Sequence, residues 1–173
     1  MRKLFFIFVT VIGFLQIPMQ SINAQSMKKE EVPQNISAFP LGKENTGFKQ
    51  YFTGESWLAP LTGNKDLNVP MSNVTFEPGC RNAWHIHHAK SGGGQILICT
   101  AGEGWYAEEG RSPVHLTPGT VVTVPAGVKH WHGAASDSYF SHIAVEVPGD
   151  GCSTEWCEAV SDEEYGLCGR ENL

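Results

Sequence analysis

The stretch Pro118-Gly-Thr-Val-Val-Thr-Val-Pro-Ala-Gly127 decides the fold class. Residues 120–124 within it are all β-branched, and such residues favour an extended strand over a helix. A Pro-Gly pair precedes them and Pro-Ala-Gly follows, and proline on either side would stop a helix. We therefore predict a short strand bounded by two turns.

The same alternation of short apolar runs and turns extends outward from this strand. Pro-Gly, Ala-Gly and Gly-Asp turns separate runs at residues 69–77, 94–100, 104–108, 120–124 and 139–147. Short strands at even spacing are typical of an all-β sandwich or barrel. One short helix is predicted near the C-terminus, where Ser161 and Glu164 form a capping-box pattern.

The composition fits one globular domain. The 173 residues are 41% hydrophobic and 17% charged, with a formal net charge of −6. A chain of this length can bury a core, whereas a general nucleic-acid-binding protein would be basic. We expect one domain and no nucleic-acid partner.

The first 24 residues have the pattern of an export signal. Arg2 and Lys3 precede an apolar run at residues 4–17, and Ala24 is a small residue before a cleavage point. The run is shorter than the roughly 20 residues that cross a bilayer. We expect a cleaved signal peptide (1–24), export to the periplasm or medium, and no membrane association afterwards. Polar residues 25–47 are predicted to form a mobile lead-in to a domain at 48–173.

The five cysteines leave the disulfide pattern open. An odd number in an exported chain leaves at least one thiol free or paired between chains. Cys152, Cys157 and Cys168 lie close together in the sequence, and one local bridge or three free thiols both fit their spacing.

Two groups of histidines indicate a metal site. They are His85, His87 and His88, and then His130 and His132. Residues two apart on a strand point to the same face, about 7 Å apart. One pair from each group can therefore point inward from two strands, and converging neutral imidazoles suit Mn, Fe, Co, Ni, Cu or Zn. His88 and His115 are expected at the surface.

Over residues 72–146 the chain resembles a small single-domain cupin. The residues that match the two cupin signatures are Gly79, His85, His87, Gln95 and Gly102, and then Gly119, Pro125, Gly127 and His130. Gln95 stands where an acidic ligand is usual, and residues 89–94 lengthen the gap before it. The resemblance implies a jelly-roll (double-stranded β-helix) barrel that forms a homodimer or larger homo-oligomer.

Four further segments are similar to bacterial cupin-type hydroxynitrile lyases. They are Asn73-Val-Thr-Phe-Glu-Pro-Gly79, Thr100-Ala-Gly-Glu-Gly-Trp105, Lys129-His-Trp-His-Gly-Ala-Ala135 and Ser141-His-Ile-Ala144. This resemblance implies one divalent metal per chain, most often Mn, with ligands His85, His87, Gln95 and His130. It also implies catalytic roles for His132 and His142, and a substrate pocket that includes Ser72, Val74 and Glu146.

Side-chain parity adds to this pocket. Phe76, Leu97 and Cys99 share the inward parity of the histidines, and a largely apolar pocket favours a small aromatic or aliphatic ligand over a sugar. Cys99 is too far along its strand from Gln95 to bind the same metal and is expected to be a core residue. Trp84, Trp105 and Trp131 are expected on the outer face or at an oligomer interface.

Glu146 follows His142 by four residues on the same predicted strand, so both side chains point to the same face. A carboxylate there would have a raised pKa unless paired, so either acid–base duty or a salt bridge with Arg81 or Lys129 fits.

We therefore expect a metal-dependent lyase that uses acid–base chemistry on a small oxygenated substrate, as in cyanohydrin cleavage. A neutral amide ligand leaves the metal site at charge +2, which strengthens its Lewis acidity. Two alternatives stay open. One is an Fe-dependent cupin dioxygenase, and the other is a non-catalytic cupin that binds a small ligand with the help of a metal. The identity of the metal is also open, with Fe, Zn, Ni or Co as alternatives to Mn.

Overall fold

The computed structural model describes residues 32–63 and 68–169. The predicted export signal lies outside the described residues. No helix in the described part is long and apolar enough to cross a membrane. The strands are β1 (Lys43–Glu44), β2 (Phe52–Thr53), β3 (Ser56–Pro60), β4 (Met71–Phe76), β5 (Arg81–Asn82), β6 (His85–His88), β7 (Ser91–Gly92), β8 (Gln95–Gly102), β9 (Gly104–Glu108), β10 (Val114–Leu116), β11 (Val121–Val124), β12 (Lys129–Ala134), β13 (Phe140–Glu146), β14 (Gly149–Asp150) and β15 (Ser153–Trp156). The helices are a 3-10 turn at Lys49–Tyr51 and α1 at Asp162–Tyr165.

Two antiparallel sheets build the domain. The first has the strand order β1-β3-β4-β13-β8-β11, and the second contains β10-β9-β12-β5-β2, with β6 between β12 and β15. β7 and β14 form a separate pair. Each predicted run contains a strand whose bounds lie within two residues of the prediction. The all-β prediction is confirmed.

The hydrophobic core lies between the two sheets. Along β8 the side chains of Gln95, Leu97 and Cys99 are buried, while those of Ile96 and Ile98 are half-buried, as a period of two requires. The core cluster contains Val74, Phe76, Cys80, Leu97, Cys99, Tyr106, Leu116, Val124, Ala134 and Phe140. Cys99 is thus a core residue, as expected.

A second cluster lies away from this core and packs the C-terminal segment. Trp84, Trp131 and Val160 form it with Ala107, and Trp105 packs against them. The capping box of α1 is present, because Ser161 Oγ accepts from the Glu164 amide and the Glu164 carboxylate accepts from the Ser161 amide. All five cysteines are free thiols.

Residues 41–45 of the predicted lead-in pack against the sheet. Leu41 and Asn45 are buried, and β1 pairs with β3. The side chain of Asn73 is fully buried and needs an acceptor. It donates to the Pro40 carbonyl at 3.0 Å, so this segment covers polar groups of the sheet.

Candidate metal centre

Three histidines converge from neighbouring strands of the second sheet. β6 carries His85 and His87, and β12 carries His130 directly opposite His85. The ring centroids of His85 and His130 are 4.1 Å apart, and those of His87 and His130 are 5.5 Å apart. One nitrogen from each ring lies within 4.8 Å of the other two. This buried triad could hold a metal ion, as the sequence predicts.

The hydrogen bonds of two of these rings fix which nitrogen faces the centre. Nδ1 of His85 donates to the Ala83 carbonyl at 2.9 Å, and Nδ1 of His130 donates to the Val128 carbonyl at 3.0 Å. Each Nδ1 therefore carries the hydrogen, and each Nε2 keeps its lone pair.

Burial keeps two rings of the triad, those of His85 and His130, neutral. Burial lowers the pKa of His130 to about 4, and burial together with the nearby His130 holds the pKa of His85 well below its usual range. Within the described residues, Nε2 of His87 and Nε2 of His130 are buried without a partner. Buried acceptors without a partner are costly, and a cation would satisfy them.

Gln95 completes a donor set that suits a divalent first-row metal. Its Oε1 is buried and has no partner among the described residues, while its Nε2 donates to Glu146 Oε1 at 2.9 Å. Three neutral imidazoles and one amide oxygen are ligands that such metals accept. The residues present therefore fit the group that the resemblance implies.

The insertion before Gln95 does not displace it from the site. Residues 91–92 form β7, which pairs with β14. Beyond this loop, β8 begins with Gln95 opposite Glu146 on β13 and Val124 on β11.

His132 lies two residues beyond His130, and Asn82 holds it. Asn82 Oδ1 accepts from the His132 backbone amide at 2.9 Å, and Asn82 Nδ2 lies 3.0 Å from His132 Nε2. Since the amide nitrogen can only donate, Nε2 must accept, and the hydrogen is on Nδ1. Burial lowers the pKa of His132 well below its usual range, so the ring is neutral.

His142 lies behind His132 rather than in the cavity wall. The two ring centroids are 4.8 Å apart, and His142 also stacks on Phe140 at 4.8 Å. Both of its ring nitrogens are buried without a partner among the described residues, and burial lowers its pKa to about 3.

A cavity of about 360 Å³ lies beside the triad and is bordered by His85, His87 and His132. Of the predicted pocket residues, Ser72, Val74, Phe76 and Glu146 line it. Its other lining residues are Asn45, Phe48, Phe52, Leu58, Pro70, Asn82, His85, His87, Gln95, His132, Ala144, Thr154 and Trp156. Among these described lining residues, none is Lys or Arg.

Leu97 does not line the cavity, contrary to the prediction. Its side chain is inward-facing but only 1% exposed and lies in the core cluster with Val74 and Phe76. Parity predicted its face correctly. The core fills the space between the sheets at the position of Leu97, two residues beyond Gln95.

Of the two roles that the sequence left open for Glu146, the salt bridge with Arg81 or Lys129 is not formed. Arg81 binds Asp162, and Lys129 binds Glu109 and Glu158, all away from the cavity. The Glu146 carboxylate instead lies 3.1 Å from His87 Nδ1 and accepts from the Gln95 amide. Burial raises the pKa of Glu146, but the hydrogen bonds from His87 and Gln95 outweigh burial and lower it overall.

Two site residues that the sequence analysis missed come from β15. This strand pairs with β6 so that Trp156 is opposite His85 and Thr154 is opposite His87. Thr154 Oγ1 lies 3.3 Å from His87 Nδ1. The Trp156 ring is 4.8 Å from that of His85 and stacks on Tyr51 at 4.5 Å. The available signal was that Thr154 and Trp156, two residue types that favour strands, share one parity after the Gly-Asp-Gly turn at residues 149–151.

Comparison with known proteins identifies the class to which this barrel and triad belong. The family model described as Cupin domain matches residues 72–146. The chain belongs to the cupin superfamily.

Individual relatives refine this placement. The chain is 43% identical over 120 residues to (R)-mandelonitrile lyase of Granulicella tundricola, an alignment that covers 69% of this chain and 88% of that protein. A cupin-like protein from Thermotoga maritima is 38% identical with a TM-score of 0.66, over 75% of this chain and 94% of that one. The DMSP lyase DddQ from Ruegeria pomeroyi DSS-3 matches with a TM-score of 0.51, over 76% of this chain and 62% of that one. At 19% identity this last likeness shows the fold alone.

Proposed function

We propose that the protein is a metal-dependent hydroxynitrile lyase that cleaves a small cyanohydrin into a carbonyl compound and hydrogen cyanide. In this reaction the bond between carbon and cyanide breaks, and the hydroxyl proton ends on the cyanide. The observation that carries the proposal is the convergence of His85, His87 and His130 beside a cavity that Gln95, with its free oxygen, and His132 line. The lyase relative at 43% identity supports it.

In this proposal His85, His87, Gln95 and His130 hold one divalent metal, which we take to be manganese. A bound divalent metal supplies Lewis acidity toward a substrate oxygen. The amide and imidazole ligands are all neutral, so the ligands themselves leave the full metal charge available.

His132 is the residue best placed to act on the cyanide. Because Asn82 occupies Nε2, the buried Nδ1–H is the polar group of this ring that has no partner among the described residues. Loss of that proton would leave an anionic imidazole, so we assign His132 to donating a hydrogen bond to the leaving cyanide. His142 packs behind this ring, and we assign it to positioning His132.

The cavity wall favours a neutral substrate with an apolar body. Phe48, Phe52, Leu58 and Trp156 supply apolar surface, and the volume of about 360 Å³ falls within the usual range for small-molecule sites. An anionic substrate would find no Lys or Arg among the described lining residues. Aromatic and branched aliphatic cyanohydrins meet these conditions.

The test is mandelonitrile cleavage by His85→Ala, with His88→Ala as the matched control. His85 belongs to the triad, whereas His88 is exposed and pairs with Glu155 at the surface. We expect His85→Ala to lose both bound metal and cleavage, and His88→Ala to keep both. Cleavage at the wild-type rate by His85→Ala would refute the proposal.

A further inference from the structure

Glu146 bonds two of the proposed metal ligands at once. Its Oε1 accepts from Gln95 Nε2 at 2.9 Å, and its Oε2 lies 3.1 Å from His87 Nδ1. It is the last residue of β13 and lies directly opposite Gln95 in the sheet. None of the residue types in the family signatures specifies this arrangement.

The contact with Gln95 decides which atom of that amide is free. An ionised carboxylate can only accept hydrogen bonds, so Gln95 must turn Nε2 toward Glu146. Its Oε1 then points elsewhere, and this oxygen is buried without a partner among the described residues. If the amide were rotated, an N–H group would take the buried position that Oε1 holds.

The contact with His87 has the same consequence. Since an ionised Glu146 carboxylate can only accept, its contact places the hydrogen of His87 on Nδ1, and Thr154 Oγ1 lies 3.3 Å from the same nitrogen. The lone pair is thereby left on Nε2, the buried nitrogen that belongs to the triad. A carboxylate partner also raises the basicity of a ligating histidine.

These contacts place the negative charge of Glu146 next to the ligand side chains rather than on one of them. An amide ligand brings no negative charge to a metal, whereas a glutamate ligand would bring one. Here a carboxylate lies one hydrogen bond behind the amide.

We propose that Glu146 is a positioning residue that selects Gln95 Oε1 and His87 Nε2 as ligand atoms and supplies the negative charge that the amide ligand lacks. The inference rests on the metal site of the proposed function. This role requires a carboxylate at position 146, because only a carboxylate can accept both hydrogen bonds.

This requirement can be tested by exchanging the amide at position 95 and the carboxylate at position 146. In Glu146→Gln, the new amide has one acceptor oxygen and one donor nitrogen. Its two partners, Gln95 Nε2 and His87 Nδ1, both donate, so one of the two hydrogen bonds is lost. Gln95→Glu brings two carboxylates together. The double variant Gln95→Glu/Glu146→Gln restores both bonds, because the amide introduced at position 146 donates to position 95 and accepts from His87.

The experiment is calorimetric titration of the metal-stripped full chain with Mn(II), with Mn(II) EPR spectra of the loaded forms. We expect Glu146→Gln to weaken the Mn(II) Kd by about 10- to 100-fold in the wild-type background. In the Gln95→Glu background the same substitution should tighten binding. The control is Glu155→Gln, which removes a carboxylate from the exposed His88 at 2.7 Å and should leave Kd unchanged.

The outcomes separate this inference from the proposed function. If Glu146→Gln acts in the same direction in both backgrounds, or leaves the wild-type Kd and EPR spectrum unchanged, Glu146 has no such role and the metal site stands. If the unaltered protein does not bind Mn(II), both the inference and the manganese site are overturned. Thermal unfolding of each variant shows whether a weaker Kd reflects loss of folding, and the double variant must bind even if one single variant unfolds.

Discussion

Asn82 gives the sharpest test of how the fold holds its catalytic candidate. It is 3% exposed and makes two hydrogen bonds to one residue, to the backbone amide and to Nε2 of His132. Asn82→Ala removes both partners at once and leaves a buried donor and a buried acceptor unpaired.

The expected cost follows from these two groups. Each buried polar group left without a partner costs about 1–3 kcal/mol. The backbone amide cannot move, but a water from the adjoining cavity can reach the imidazole. We therefore expect Asn82→Ala to lower the free energy of unfolding by about 2–4 kcal/mol.

The assay is urea unfolding of the metal-free protein, with imidazole ¹⁵N NMR of Asn82→Asp alongside it. A carboxylate at position 82 still accepts from the backbone amide but cannot donate, so His132 should move its hydrogen to Nε2. A loss below about 0.5 kcal/mol in Asn82→Ala, well short of the cost of one unpaired group, would refute the reasoning. An unchanged His132 tautomer in Asn82→Asp would refute it equally.

Three further outcomes follow from the structure. In the metal-free protein, stability should fall as the pH drops from 6.5 to about 4, because unfolded His130 binds a proton in this range while folded His130, with its pKa of about 4, does not. His130 alone contributes about 3 kcal/mol of this loss, and His85, His132 and His142, whose pKa values burial also lowers, add to it. A flat profile in urea unfolding at several pH values would contradict this prediction. Gly102→Ala should destabilise by about 2–4 kcal/mol, because φ is +66° and the new Cβ meets a backbone carbonyl. Gly79→Ala, where φ is +77° but the space is open, should cost about 1 kcal/mol. Equal unfolding midpoints for Gly102→Ala and Gly79→Ala would contradict the close approach of position 102 to the Tyr139 carbonyl. Trp156→Ala should raise KM for mandelonitrile by about tenfold without loss of metal, whereas Trp105→Ala, outside the cavity, should not. Equal KM values for these two variants would remove Trp156 from the substrate wall.

Local patterns predicted most of the fold because the constraints there are local. Gly102, Gly119 and Gly127 all have positive φ, so the turns between strands depend on residue types that the sequence displays directly. Strand parity likewise brought His85, His87 and His130 together, since a period of two is a property of the strand itself.

The rest depends on which distant segments meet, and parity does not contain this information. It gave the face of Leu97 but not its depth in the core. The partners of Glu146 come from β6 and β8, and the Asn82–His132 contact joins β5 to β12. Thr154 and Trp156 enter the site only because β15 pairs with β6. Export and self-association stay predictions.

The most direct measurement is the metal content of the protein purified without an affinity tag, taken with mandelonitrile cleavage before and after chelation and after Mn(II) is restored. We predict about one divalent metal per chain, loss of cleavage on chelation and recovery with Mn(II). A protein that binds no metal after reconstitution, or that cleaves mandelonitrile equally well without it, would contradict the proposed metal centre.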